Sequence, residues 1–278
     1  MHLSFNALVE ENSCAALFSR VADERHRWEQ RLHEVVTLPN NFVTAWHTLI
    51  QDLNISLPWP KPNNFTLPTQ SRILIWGGSS SVGQYVLQIL RYYGYENVVA
   101  TASPSNFDIV KDSGANHVVD YKLPAQELKN QVENTSGGRV EKILDCIGSL
   151  EGSVTPISRV AEGNATVAVL LPVIIRDATE DVEPHYAMDP EKVVEWTPGV
   201  EVKGVRTHFY LQDHFMAKHL QPDIMPTLLA EGVVKPNRQK IVEGNTLLER
   251  AQKALDMLRR KEVSGERLVW RIAEDVSI

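Results

Sequence analysis

One stretch, Arg72-Ile-Leu-Ile-Trp-Gly-Gly-Ser-Ser-Ser-Val-Gly-Gln84, constrains what this chain can fold into more than any other. The apolar run Ile73–Trp76 reads as a buried strand that stops at two glycines, passes three serines and reaches Gly83. Val82, Val86, Ile89, Leu90 and Tyr93 then recur at helical steps, so a helix follows. Strand, small-residue turn and helix together present free backbone N–H groups to a phosphate, with the positive end of the helix dipole behind them. The strict G-x-G-x-x-G fingerprint is absent; the spacing is Gly77-x-x-Ser80-x-x-Gly83. The turn alone therefore also suits a βα connection that binds nothing.

The rhythm downstream strengthens the phosphate reading. Strands are expected at 97–102, 116–121, 140–146, 165–171 and 201–207, with helices at 106–113, 127–133 and 153–161 between them. Such alternation predicts an α/β fold, a doubly wound parallel sheet covered on both faces, with ligands beyond the carboxyl ends of its strands. The end of the second strand selects the nucleotide. An NADH site usually carries Asp or Glu there for the ribose hydroxyls. This chain has Thr101-Ala-Ser-Pro-Ser-Asn106, and the first carboxylate, Asp108, is already inside the helix. Losing the acid removes repulsion toward a 2′-phosphate, and Ser103, Ser105 and Asn106 are compact donors for one, which favours NADPH. The same residues also suit an ordinary Ser-Pro helix start.

Taken together, Gly77-Gly-Ser-Ser-Ser-Val-Gly83, Ser103-Pro-Ser-Asn-Phe107, Gly114-Ala-Asn-His-Val-Val-Asp-Tyr121, Asp145-Cys-Ile-Gly148, Thr44-Ala-Trp-His47 and Val263-Ser-Gly-Glu-Arg-Leu-Val-Trp270 resemble the medium-chain dehydrogenase/reductase superfamily. Within it the chain is similar to the zinc-free quinone-oxidoreductase branch, and above all to fungal trans-acting enoyl reductases and toxD-like proteins. The resemblance covers roughly residues 41–278. It implies a Rossmann cofactor domain, NADPH as cofactor, and hydride transfer to an enoyl thioester, enone or quinone. It further implies that Gly78, Ser79, Ser80, Ser81 and Val82 hold the pyrophosphate. Ser103, Ser105 and Asn106 would meet the 2′-phosphate, with Tyr121 beside it. Cys146, Ile147, Leu170 and Leu171 would border the cofactor, Val263 and Ser264 would close the site, and Thr44 would lie near the substrate. Where Asn106 stands, many quinone reductases carry lysine, so the 2′-phosphate lacks an obvious cation, although Lys111 and Lys122 are nearby in sequence. Leu170, Leu171, Cys146 and Thr44 each have a plain structural alternative as core, buried thiol or helix surface.

Composition fits a small-molecule enzyme: 278 residues, 43% hydrophobic, 23% charged, net charge −7. The acidic balance disfavours nucleic acid and anionic membranes as partners. Only Cys14 and Cys146 are present, which points to reduced thiols in a cytoplasmic setting. Two cysteines cannot build a four-thiolate zinc lobe, and neither His26 and His33 nor His214 and His219 show ligand spacing; both pairs read as surface. No metal is expected. No Ser/His/Asp or paired-carboxylate arrangement stands at usable spacing, so no catalytic residue is assigned.

The ends of the chain depart from the family pattern. Relatives place a β-rich GroES-like domain before the cofactor domain, yet this chain reaches its glycine turn by residue 77, after a charged helical segment at 14–36. The expected organisation is a GroES-like remnant plus connector at 1–68, a cofactor domain at 69–225, and a C-terminal segment at 226–278. In that reading the catalytic portion is truncated, and the rival to an enzyme is a non-catalytic NADPH-binding module. A helix over 42–53 should bury Phe42, Ala45, Trp46, Leu49 and Leu53, followed by the extended connector Leu57-Pro-Trp-Pro-Lys-Pro62. Residues 176–199 should form an irregular excursion. Thr246-Leu-Leu-Glu249 opens a last helix with Leu247, Leu248, Ala251, Ala254, Leu255 and Leu258 as its apolar stripe. A final strand over 263–272 should leave an exposed edge, and an outer strand of the sheet offers a route to a homodimer.

Overall fold

A computed structural model describes residues 32–67, 70–179 and 181–272. Its centre, among these residues, is a parallel sheet of six strands: β1 Ile73–Trp76, β2 Val98–Ala102, β3 His117–Asp120, β4 Lys142–Asp145, β5 Thr166–Leu170 and β8 Glu201–Val205. Their order across the sheet is β3-β2-β1-β4-β5-β8. Chain order reverses between β1 and β4, so the switch point lies where Trp76 pairs with Asp145. The expected strands are all present and a few residues shorter, because pairing ends where the turns lift the backbone off the ladder. Every side chain of β1 and β2 is buried, the signature of a sheet covered on both faces.

Helices cover the two faces. On one side α2 Ser81–Tyr93 and α3 Phe107–Ser113 join α1 Pro39–His47, which continues through one wider turn to Asp52. On the other lie α4 Ala125–Ser136 and α5 Thr155–Val160. The predicted stripe of α1 is fully buried: Phe42, Ala45, Trp46, Leu49 and Leu53 have no exposed surface. It packs on α2 through aromatic edges, Phe42 against Tyr85 (6.3 Å between ring centres) and Trp46 against Tyr93 (6.1 Å). The connector then runs back along α2, where Tyr93 donates its hydroxyl to the Pro58 carbonyl (2.9 Å). This N-terminal layer shares one core with the sheet and with α7 Met225–Ala230. Of the expected helix at 14–36, only the turn Leu32–Val35 falls within the described residues.

Five expectations differ from the structure. Residues 176–199 are not wholly irregular, because β6 Val173–Arg176 pairs antiparallel with β7 His185–Ala187. His219, read as surface, is partly buried and sits 3.3 Å from Asp223, which also accepts the Trp59 indole N–H (3.1 Å). Here α6 His214–His219 is tethered to the connector. The last strand, β10 Arg267–Val269, does not lack a partner: it pairs parallel with β9 Gln239–Ile241. Between them α8 Leu247–Arg259 buries Ala254 of the expected stripe together with Arg250 and Met257, while the stripe's leucines are exposed, Leu248 at 77%. Its N-terminus is capped as predicted by the Thr246 hydroxyl, while the Glu249 carboxylate accepts from Asn245 N–H instead of the cap residue's own.

Removing the indole that joins α1 to α2 tests whether this layer is integral. Trp46→Ala should lower stability by about 3–5 kcal/mol in urea unfolding, the usual range for a buried aromatic. A loss under about 1 kcal/mol would mean α1 is an appendage.

Candidate cofactor site

The glycine turn brings the start of α2 hard against β1. A methyl group on Gly83 would lie 2.4 Å from the Gly77 carbonyl oxygen, and one on Gly78 would meet Ala100 at 2.9 Å. Gly77 takes a φ of +82° and sits under Ile147. The turn's backbone is otherwise well tied. Gly77 and Gly78 donate to the Thr101 hydroxyl and carbonyl, Ser80 N–H to Gly77, and Gly83 N–H to the Ser80 hydroxyl, which caps the helix. The N–H groups of Ser79, Ser81 and Val82 have no partner among the described residues. Three unpaired donors at a helix N-terminus form an anion cradle.

That cradle opens on a crevice of about 510 Å³, whose walls include Ser79, Ser80, Ser81, Ile147, Val263 and Ser264. Six of the residues expected at the site are therefore brought together. The C-terminal segment supplies the far wall with Gly265, Glu266, Arg267, Leu268 and Trp270, and α8 adds Leu258. Gln84 bridges the two sides, donating to the Ser79 carbonyl (2.8 Å) and toward the Gly265 carbonyl (3.3 Å). Glu266 and Arg267 were not candidates from sequence, since charges flanking a short strand look like solvated surface. The signal that points to them is their place just after Ser264-Gly265.

The remaining candidates lie around this crevice rather than in its walls. Ser103 and Ser105 exchange a hydroxyl contact (3.1 Å) just beyond β2. Asn106 spends both amide hydrogens on neighbours, the Ser103 hydroxyl (3.1 Å) and the Ser264 hydroxyl (2.7 Å). It thus ties the C-terminal segment to the serine cluster. Tyr121 is 39% exposed after β3, with the Lys122 ammonium 5.8 Å from its ring centre. Leu170 ends β5 with its carbonyl against Gly148, and the Leu171 side chain packs on Gly204. Val82 is partly buried and packs on the main core. Thr44 donates its hydroxyl to the Asn40 carbonyl of its own helix (2.9 Å) and is not in the crevice wall.

Electrostatics fix the β4 side. Asp145 is completely buried and accepts from the Ile147 and Gly148 N–H groups (2.8 and 3.1 Å) and the Ser153 hydroxyl (2.7 Å). Burial outweighs these three bonds and pushes its carboxyl up to about 6. Burial of the Cys146 thiol, then the charge of Asp145, push that thiol upward, with a Ser80 hydrogen bond only partly opposing them. A thiol raised in this way is no thiolate nucleophile at neutral pH.

A carboxyl raised on folding makes the native state bind a proton more tightly than the unfolded chain. Its contribution is most favourable below about pH 4 and declines as pH rises toward about 6, by on the order of 3 kcal/mol in total. Asp145→Asn keeps the acceptor for both N–H groups and removes the titration. Urea unfolding at pH 4.5 and pH 7 (roughly either side of most of this titration) should show the variant gaining stability relative to wild type at the higher pH. Parallel pH dependence in the two proteins would rule this account out.

Comparison with known proteins agrees with this geometry. Residues 81–170, from α2 through β5, match the zinc-binding dehydrogenase family. A trans-enoyl reductase of Talaromyces variabilis is 30% identical over 243 residues, 84% of this chain and 63% of the relative. A zinc-type alcohol dehydrogenase-like protein of Schizosaccharomyces pombe is 46% identical over 91 residues, 33% of this chain and 26% of that protein. The crystal structure of the CurK enoyl reductase superposes with a TM-score of 0.61 at 18% identity, covering 86% of this chain and 62% of the other, a likeness of fold. The chain thus spans less than two thirds of the length of the relatives it matches. By its sheet order, its serine turn and these relatives, the chain is similar to the zinc-binding dehydrogenases and fungal trans-enoyl reductases of the medium-chain dehydrogenase/reductase superfamily.

Proposed function

We propose that this chain is an NADPH-dependent, zinc-independent oxidoreductase that reduces an activated double bond of an enoyl thioester, or a quinone. The observation that carries the reading is the cradle at the start of α2. Three N–H groups with no partner among the described residues, those of Ser79, Ser81 and Val82, stand beside a crevice at the carboxyl ends of β1 and β4. A dinucleotide's pyrophosphate is the ligand such a cradle takes at a topological switch point. When bound, NADPH supplies the hydride; the protein's part is to hold and orient it and to exclude water. Ser103 and Ser105 present hydroxyls where an NADH site would carry a carboxylate, which supports the phosphorylated nucleotide. Enoyl thioester is the sharper substrate class because relatives across most of this chain's length are named trans-enoyl reductases. Zinc independence rests on the cysteine count, since Cys14 and Cys146 cannot form a four-thiolate site. The same two cysteines support a cytoplasmic setting, and no helix of the described residues is long and apolar enough to cross a membrane.

Nucleotide titration by tryptophan quenching separates the parts of this reading. Wild type should bind NADPH at least about tenfold more tightly than NADH, a difference of about 1.4 kcal/mol. The double variant Ser103→Ala, Ser105→Ala should lose most of that preference while NADH affinity holds. Oxidation of NADPH by an enoyl thioester or a quinone would establish the enzyme. Binding without turnover on either acceptor would favour a nucleotide-binding module, and a folded protein that binds neither nucleotide would defeat both.

A further inference from the structure

Ser264 stands in a sequence context that holding a nucleotide does not require. Three consecutive cations, Arg259, Arg260 and Lys261, precede it by five, four and three residues. Protein kinases with an acidic substrate groove select serines by basic side chains at such distances on the N-terminal side. All three cations are exposed, and each rests on a surface carboxylate, Asp256, Glu262 and Asp177 in turn. Exposed pairs of this kind contribute little and yield to a competing acidic surface. Ser264 is itself exposed, between the end of α8 and the start of β10. Among the described residues, backbone N–H bonding stops at Glu262 and resumes at Arg267, so the peptide around Ser264 belongs to no ladder. Its side-chain tie is the Asn106 amide, which donates to the Ser264 hydroxyl (2.7 Å). A kinase needs a short accessible peptide of this kind, held by bonds that open at small cost.

We propose that Ser264 is a phosphorylation site whose phosphate shuts the nucleotide crevice; this rests on the nucleotide reading above. In the transfer a bond forms between Ser264 Oγ and the γ-phosphorus of ATP, the bond from that phosphorus to the β–γ bridging oxygen breaks, and ADP leaves. The hydroxyl proton passes to the kinase's catalytic base. The product carries about 1.5 to 2 negative charges and three strong acceptor oxygens. Ser264 shares the crevice with Ser79, Ser80 and Ser81. One amide nitrogen, that of Gln84, reaches both the Ser79 carbonyl (2.8 Å) and the Gly265 carbonyl (3.3 Å), so the backbone beside Ser264 lies a single bonded side chain from the start of α2. The N–H groups of Ser79, Ser81 and Val82 are donors for the new dianion. On the same wall Arg267 favours it and Glu266 opposes it. A phosphate tethered here competes at high effective concentration with a dinucleotide that arrives from solution. Linkage makes the exclusion mutual: a bound nucleotide covers Ser264 and slows its modification.

The test uses the full chain, ATP with magnesium, and the catalytic subunit of cyclic-AMP-dependent protein kinase as the basic-directed enzyme. Phosphate uptake is located by peptide mass mapping, and NADPH and NADH are titrated before and after treatment, with thermal melting to confirm that each sample is folded. Ser264 should take the phosphate, and the double variant Arg259→Gln, Arg260→Gln should take it several-fold more slowly. Excess NADPH should slow uptake by the full chain and leave a free peptide of residues 257–270 unaffected. The phosphorylated chain should bind both nucleotides at least about tenfold more weakly. Ser264→Ala should show the same affinities before and after treatment. Phosphate found only at other residues, or uptake indifferent to the two arginines, would overturn the site. Full phosphorylation of Ser264 with unchanged nucleotide affinity would overturn the closure while leaving the nucleotide reading intact. Untreated wild type that binds neither nucleotide would fail the nucleotide reading itself, and this proposal with it.

Discussion

The close approach of α2 to β1 is the contact on which the rest of this structure depends. Gly83 has no room for a side chain, because the Gly77 carbonyl fills the space where a Cβ would go. Only that absence lets the first turn of the helix emerge at the sheet's carboxyl edge. The consequences run along the whole helix. Its N-terminus makes the anion cradle and its inner face closes the sheet. Its outer face takes the aromatic layer of α1 through Tyr85 and Tyr93. A helix lifted by even one methyl would misplace all three.

The same helix holds the C-terminal wall, by polar bonds. Gln84 reaches Gly265, Gln88 accepts from Lys235 N–H (2.7 Å), and the Tyr85 hydroxyl accepts from Asn237 N–H (3.1 Å). Tyr85 is shielded enough that burial raises its phenol above the ordinary range. Beyond residue 237 the wall has only a small core of its own, Val242, Ala254 and Met257. Each polar tie is worth roughly 0.5–1.5 kcal/mol net, much less than a buried aromatic. The segment that covers the crevice is thus held less strongly than the α1 layer.

What could be read from the residues follows from how local each determinant is. The β1-turn-α2 unit and the α1 stripe depend on neighbours in sequence, and both stand where periodicity and glycine spacing place them. The α8 stripe shows the limit. Helical spacing groups Leu247, Leu248, Leu255 and Leu258 on adjoining turns, but which face is covered depends on what packs against it. Here the small cluster under the helix takes Ala254 and Met257, and Arg250 lies along it with its guanidinium on the Gly244 carbonyl (2.9 Å). Arg267 was hidden for a related reason. A charged residue in a three-residue strand has no periodic signature, and its place beside Ser79–Ser81 is set by a contact spanning more than 180 residues. The serine cluster at 103–106 was legible as chemistry, but the internal bonding of Asn106 was not, because Ser264 is 158 residues away.

The proposed nucleotide site and the residue expected near the substrate are differently placed in this chain. Every group of the cradle and its facing wall lies between residues 70 and 272, on the six-stranded sheet, the separate β9–β10 pair and the α2 helix that bonds to the segments of both. Thr44, the residue that the family pattern brings to the substrate, has its hydroxyl committed to its own helix and faces no part of the crevice. The match to the Talaromyces variabilis relative, in turn, covers 63% of that protein. A nucleotide site needs its turn, strand ends and covering segment, whereas a hydride acceptor needs a second surface opposite the nicotinamide. The two properties are physically separable here, so tight nucleotide binding and slow or absent turnover would be mutually consistent outcomes of one structure.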